Sequence, residues 1–207
     1  MFNPDTGSIR VTDSLEKCAA AARPDVDPAY QNHCVECLPE CMDKDASVTY
    51  TIPVTPLRAD HQASIRRSGA GLALNGVKLE GPAPVDAILG NYTIAPFDDC
   101  GGHVNLHVGY HYHAATDCLD EVAMVAWDSR IIGIAMDGYL IHSCLKNDGT
   151  PASNLDGCGG HKTDDQPYHS HAGEPGSNAI LNCLGAEFGC ASENPGVFCD
   201  ASTTRCH

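Results

Sequence analysis

Basic residues are scarce in this chain, with twelve lysines and arginines against 27 aspartates and glutamates over 207 residues and a formal net charge of -15. Such a surface repels a phosphate backbone, and the basic side chains gather only at Arg66-Arg67, so nucleic acid is excluded as a partner. Also missing is any apolar run near the roughly eighteen residues that a spanning helix requires, so no membrane span is expected. There is no Gly-x-Ser-x-Gly elbow and no phosphate-binding loop. The opening Met1-Phe2-Asn3-Pro4-Asp5 is polar and acidic, unlike a secretory leader, and is expected to start a mature or trimmed product.

Cysteine, by contrast, is abundant. Twelve cysteines spread along the whole chain read as disulfides made in an oxidising compartment, which predicts a secreted, extracellular or periplasmic protein with no free thiolate nucleophile. The tight cluster Cys34, Cys37, Cys41 would suit a cytosolic zinc protein, but no second paired-cysteine motif answers it. Asn91-Tyr92-Thr93 is an acceptor triplet for N-glycosylation and agrees with secretion.

The strongest pattern is a repeated one. Asp98-x-Cys100-Gly101-Gly102-His103, six residues, then Tyr110-His111-x-His113 recurs as Asp156-x-Cys158-Gly159-Gly160-His161, six residues, then Tyr168-His169-x-His171, with every member at the same offset. Six of the eleven histidines fall in these two copies. In an extended strand alternate side chains share a face, so His111 and His113 project together while Tyr112 points away, and His169 and His171 do so around Ser170. The upstream His103 and His161 each follow a Cys-Gly-Gly turn, where glycine permits the positive φ needed to fold the histidine back toward the strand.

Each copy can therefore offer three imidazoles, and the candidate metal ligands are His103, His111, His113, His161, His169 and His171. All-nitrogen sets of this kind suit Cu or Zn, less often Fe or Ni, and argue against Ca or Mg, which prefer oxygen. Because duplicated half-sites often meet about a twofold axis, the two copies are expected to converge on one shared centre. His107 is matched by Asp165, so one copy can add an imidazole and the other a carboxylate. Asp98 and Asp156 fit either as acceptors for a ligand ring N–H or as turn formers before Cys-Gly-Gly. His142 is an outlying ligand candidate, and Asp137 is explained by the turn chemistry of Asp137-Gly138.

The expected fold is mainly β, a disulfide-rich β-sandwich-like or irregular β domain with few short helices. Residues 1–46 read as a cysteine-rich cap with one helix over Leu15–Ala22 behind the capping box Asp13-Ser14-Leu15-Glu16, and with His33 on its surface. Residues 47–183 read as the β domain and 184–207 as a cysteine-rich tail packed on it. Within the body, Ser47–Ile52 predicts a strand ended by Pro53, and Gly71–Leu79 predicts a hairpin at Asn75-Gly76. Ile131–Met136 and Tyr139–His142 predict a second hairpin, and Leu119–Trp127 is the remaining helical candidate.

Four landmarks in order, Gly71–Val77, Asp98–His103, Gly109–His113 and Ile132–Tyr139, resemble those of the YHYH domain family, named for the run that stands here at Tyr110–His113. The resemblance covers roughly Ser47 to Cys183 and implies a secreted or cell-envelope protein without assigning a reaction. The second copy departs from the family pattern in having Ser170 where the first has Tyr112. Three functions are open on these residues: a secreted copper- or zinc-binding protein, a metalloenzyme of zinc hydrolase, zinc lyase or copper oxidase type, and an extracellular recognition domain with structural histidines. Beyond the metal ion, an extracellular small molecule or polymer is the partner class that fits.

Overall fold

The computed structural model describes residues 2–3, 8–12, 47–65, 69–83, 100–105, 109–120, 123–174 and 177–192. The helix expected over Leu15–Ala22, His33, the Cys34, Cys37, Cys41 cluster, the Asn91 triplet, Asp98 and His107 lie outside these residues.

The protein is mainly β. A four-stranded sheet joins β1 (Phe2–Asn3), β2 (Ser8–Thr12), β3 (Ser47–Thr51) and β15 (Cys190–Ser192), and a two-stranded one joins β4 (Arg58–Ser64) to β14 (Cys183–Ala186). The nine-stranded main sheet holds β5 (Gly71–Ala73), β6 (Lys78–Leu79), β7 (Gly102–Asn105), β8 (Gly109–Tyr112), β9 (Met124–Ala126), β10 (Ser129–Ala135), β11 (Leu140–Lys146), β12 (Gly160–His161) and β13 (His169–His171). Helix α1 is the single turn Asp117–Asp120. The helical candidate Leu119–Trp127 is thus corrected: the chain leaves the helix and Met124–Ala126 pairs antiparallel with Ser129–Ile131. A β-branched Val125 beside an open strand edge gains ladder bonds there that a lone helical turn cannot supply.

The strand order of the main sheet, β12-β13-β11-β10-β5-β6-β8-β7, reads alike from either end. At its middle, β10 and β5 run antiparallel with Gly133 opposite Ala73 and Ala135 opposite Gly71. The backbones approach so closely that a Cβ on Gly133 would stand 2.5 Å from the Leu72 carbonyl oxygen, which is why glycine occupies the position. Outward from this pair come two hairpins, β5–β6 around Asn75-Gly76 and β10–β11 around Asp137-Gly138. They correspond residue for residue: Gly71-Leu72-Ala73-Leu74-Asn75-Gly76-Val77-Lys78-Leu79-Glu80 matches Gly133-Ile134-Ala135-Met136-Asp137-Gly138-Tyr139-Leu140-Ile141-His142. Leu74 N–H donates to the Ile132 carbonyl at 3.0 Å, and Met136 N–H returns the bond to Ala70 at 2.9 Å.

Beyond each hairpin the sheet continues with a parallel strand. Lys78 and Leu79 pair with His111 and Tyr112 in β8, and Ile141 and His142 pair with Ser170 and His171 in β13. The hairpins β7–β8 and β12–β13 close the two ends. Leu72, Leu79, Tyr112, Leu119, Ile132, Met136, Ile141, Ile180 and Leu181 pack as one buried cluster along this sheet. Burying each large aliphatic side chain contributes about 1.5–3 kcal/mol. The core is therefore what holds the strands that carry the histidines.

Candidate metal centre

The second motif is built on a turn. Asp156 Oδ1 accepts the N–H groups of Cys158 at 2.9 Å and Gly160 at 3.1 Å, and Gly159 sits at φ +81°, a left-handed conformation that favours glycine. The Cys158–Cys183 disulfide ties this turn to β14. The chain reverses there, so His161 lies directly opposite His169 in the antiparallel β12–β13 pair. The first motif folds the same way, with Gly101 at φ +72°, the Cys100–Cys118 disulfide and His103 opposite His111. The expected positive-φ turn is present in both copies.

His161, His169 and His171 bring their ligand nitrogens within 4.8 Å of one another, a group that could hold a metal ion. Their other ring nitrogens are engaged: His161 Nδ1 lies 2.8 Å from the Ser153 carbonyl, His169 Nδ1 2.9 Å from that of Pro167, and His171 Nδ1 2.9 Å from that of Ser143. A carbonyl oxygen can only accept, so each Nδ1 carries the proton and each neutral ring presents an Nε2 lone pair. His161 Nε2 and His169 Nε2 face each other at 3.1 Å, and His171 Nε2 is buried with no protein partner. Burial holds His169 and His171 below the ordinary histidine value, which opposes placing a proton among them.

A tetrahedral ion with metal–nitrogen bonds of about 2.05 Å holds its ligand nitrogens roughly 3.3 Å apart. The His161–His169 spacing is close to that. The first copy brings the other pair of its motif together, with His111 Nε2 3.0 Å from His113 Nε2 and His113 Nδ1 donating to the Gly81 carbonyl at 2.6 Å. Burial lowers the His113 pKa as well. Of His103 only the backbone position, opposite His111, is described.

The two copies do not converge. Four strands, β11, β10, β5 and β6, stand between β13 and β8, so five inter-strand steps of about 4.8 Å separate them. Each parallel strand joins the outer edge of its own hairpin, and the core-forming β10–β5 pair occupies the middle where a shared centre would have to be. Of the two roles open to Asp156, the turn former is the one seen: its Oδ1 serves the Cys-Gly-Gly turn and its Oδ2 accepts the Tyr168 hydroxyl at 2.8 Å. The ring protons go to main-chain carbonyls, acceptors that no side-chain pattern reveals.

The exchange of Tyr112 for Ser170 also has a local cause. Tyr112 is in the core and its hydroxyl accepts from Asn75 Nδ2 at 3.1 Å. The matching residue in the second hairpin, Asp137, has no side-chain proton to donate when ionised. Its Oδ2 instead accepts the N–H groups of Gly185 at 2.8 Å and Ala186 at 3.2 Å, fastening β14 to the hairpin. Burial raises the Asp137 pKa, and the main-chain N–H groups of Gly185, Tyr139 and Ala186 work against that rise. A tyrosine at 170 would find no amide waiting for it.

His142 is the residue that the motif spacing undervalues. It is fully buried beside β13, its ring centroid 4.4 Å from that of His169 and 5.5 Å from that of His171. Its counterpart in the matching hairpin is Glu80, which gives the position away once the hairpins are aligned. A cavity of about 170 Å³, walled by Pro56, Trp127, Leu140 and Pro167, reaches the rings of His142 and His169. One expectation about thiols fails here: Cys144 is free, its side chain half-buried on β11. Burial raises its pKa, so it is a poor nucleophile.

A mainly β, disulfide-bonded protein with histidine pairs displayed on strands is the class that this fold and site define. The YHYH protein family matches residues 49–154, and the chain belongs to that family. The match takes in the first motif and both hairpins and ends before the second motif. No curated protein and no solved structure matches the chain.

Proposed function

We propose that this chain is a secreted metal-binding protein whose copper or zinc centre is formed by His161, His169 and His171, with His103, His111 and His113 forming a second centre from a duplicated half. The observation that carries this reading is the 3.1 Å approach of His161 Nε2 to His169 Nε2 while both Nδ1 protons are committed to carbonyls. Two lone pairs at that distance repel unless a cation lies between them, and burial lowers the proton affinity of His169, which favours a metal over a proton there. Carbonyl acceptors on Nδ1 orient the rings and raise ligand basicity, the usual support of a histidine metal site. An all-nitrogen donor set selects Cu or Zn. Disulfides at Cys100–Cys118 and Cys158–Cys183 support an oxidising, extracellular or periplasmic location.

Calorimetric titration of the chelator-treated protein with Zn or Cu tests the reading. His161→Ala, at the least buried of the three positions, should remove or strongly weaken one binding event and leave the fold intact. Unchanged binding in that variant would contradict the assignment. A metalloenzyme is the second reading, favoured by the cavity that reaches His142 and His169. It requires an open coordination position on the metal.

A further inference from the structure

We infer that His142 is the fourth nitrogen ligand of the His161, His169, His171 centre, closing its shell; this rests on the metal-binding reading above. His142 is 0% exposed, and its Nε2 is buried with no protein partner. A buried polar nitrogen left unsatisfied costs roughly 1–3 kcal/mol, and His171 Nε2 is orphaned beside it. His142 pairs with His171 across the parallel β11–β13 junction, so the two side chains stand on one face of the sheet. Its ring centroid lies 4.4 Å from that of His169 and 5.5 Å from that of His171, just outside the 4.8 Å group that the other three nitrogens form, so a small rotation of the rings around an ion would bring its nitrogen into the shell.

The opposite nitrogen is already held. His142 Nδ1 lies 2.6 Å from Ser129 Oγ, and Ser129 is fully buried, with Asp128 Oδ1 at 3.5 Å as the acceptor toward which its hydroxyl can turn. With the hydroxyl so directed, Nδ1–H donates to Oγ and Nε2 presents its lone pair, as in the three neighbouring rings. The matched hairpin supplies an independent argument. Glu80 N–H donates to the Tyr112 carbonyl at 2.8 Å, placing Glu80 beside β8 as His142 stands beside β13. Both ends of the sheet thus carry a polar side chain at one register position, a carboxylate that is ion-paired with Lys78 at one end and an imidazole with an unpartnered nitrogen at the other. A closed four-nitrogen shell binds or stores a metal and leaves no position for substrate, which separates the two readings of function.

The test follows the imidazole nitrogens of histidine-labelled full-length protein by NMR during titration with zinc alone. His142→Phe assigns the His142 signals; should that chain not fold, Ser129→Ala assigns them by altering its Nδ1 partner. The expected result is that His142 Nε2 shifts together with the Nε2 of His161, His169 and His171, and that H142F binds zinc at this centre at least about 100-fold more weakly. Movement of the other three with His142 Nε2 unchanged would overturn the fourth-ligand assignment and leave the three-histidine centre standing. Absence of movement in all four would overturn both.

Discussion

His161 and His169 meet Nε2 to Nε2 at 3.1 Å although the Nδ1 of each ring already lies against a main-chain carbonyl, so in the neutral rings two lone pairs face each other. At the other end of the sheet His111 Nε2 and His113 Nε2 approach to 3.0 Å, with the Nδ1 of His113 against the Gly81 carbonyl.

The separation of the two pairs by four strands predicts independent sites. Replacing both His111 and His113 with Ala should remove about one metal ion per chain and leave the affinity of the His161, His169, His171 centre unchanged within about threefold, because distant sites without shared partners behave additively. Competitive titration with a chromophoric chelator checks this. Loss of all binding in the double variant would mean that the halves share one ion after all.

Acid should destabilise the metal-free protein. Burial pushes His142 down to about 3 and holds His113, His169 and His171 below their ordinary value of 6.5. Between the folded and unfolded values the unfolded chain binds more protons, so stability rises with pH across that window and is lost as pH falls from about 6.5 toward 3. Thermal melts of chelator-treated protein should show Tm falling from pH 7 to pH 4. The metal-loaded protein should resist this until the ion dissociates below about pH 5. A Tm that is flat from pH 7 to pH 4 in metal-free protein would contradict the assignment of buried neutral rings.

Reduction should loosen the His161, His169, His171 centre. The Cys158–Cys183 bridge fixes the turn that aims His161 at His169. Mild reductant should weaken zinc binding roughly 10-fold before the far-ultraviolet circular dichroism changes, as expected when the support of a ligand is removed. Equal loss of both signals together would show that the bridge stabilises the whole fold without a separate role at the site.

Legibility in the sequence followed the range of the interactions. The strand Ser47–Thr51, the Asn75-Gly76 and Asp137-Gly138 hairpins and the shared face of His169 and His171 arise from local rules of alternation and turn chemistry, and each is present. What spacing did not carry was long-range. The position of β13 next to β11, which brings His142 against His171, depends on which strand edges pair, and a parallel join has no local signal. The acceptors on Nδ1 are carbonyls of Ser143, Ser153 and Pro167, and every residue has a carbonyl. Alignment of Glu80 with His142 was available in the hairpin sequences and would have raised His142 among the candidates.

Asp137 should prove a strut between hairpin and β14. Its carboxylate accepts from Tyr139, Gly185 and Ala186 N–H groups while fully enclosed. Asp137→Asn turns an amide toward these donors and should cost about 1–3 kcal/mol in urea unfolding, with zinc affinity preserved in the folded fraction. A neutral effect on stability would contradict the bonding seen here.

Metal content per chain, counted by mass spectrometry in protein purified without chelators and then equilibrated with Zn or Cu at neutral pH, decides whether these histidine groups hold ions. About two ions per chain are expected, falling to about one when His161, His169 and His171 are all replaced by Ala. Wild-type protein that stays free of metal after exposure to both ions would contradict the metal assignment.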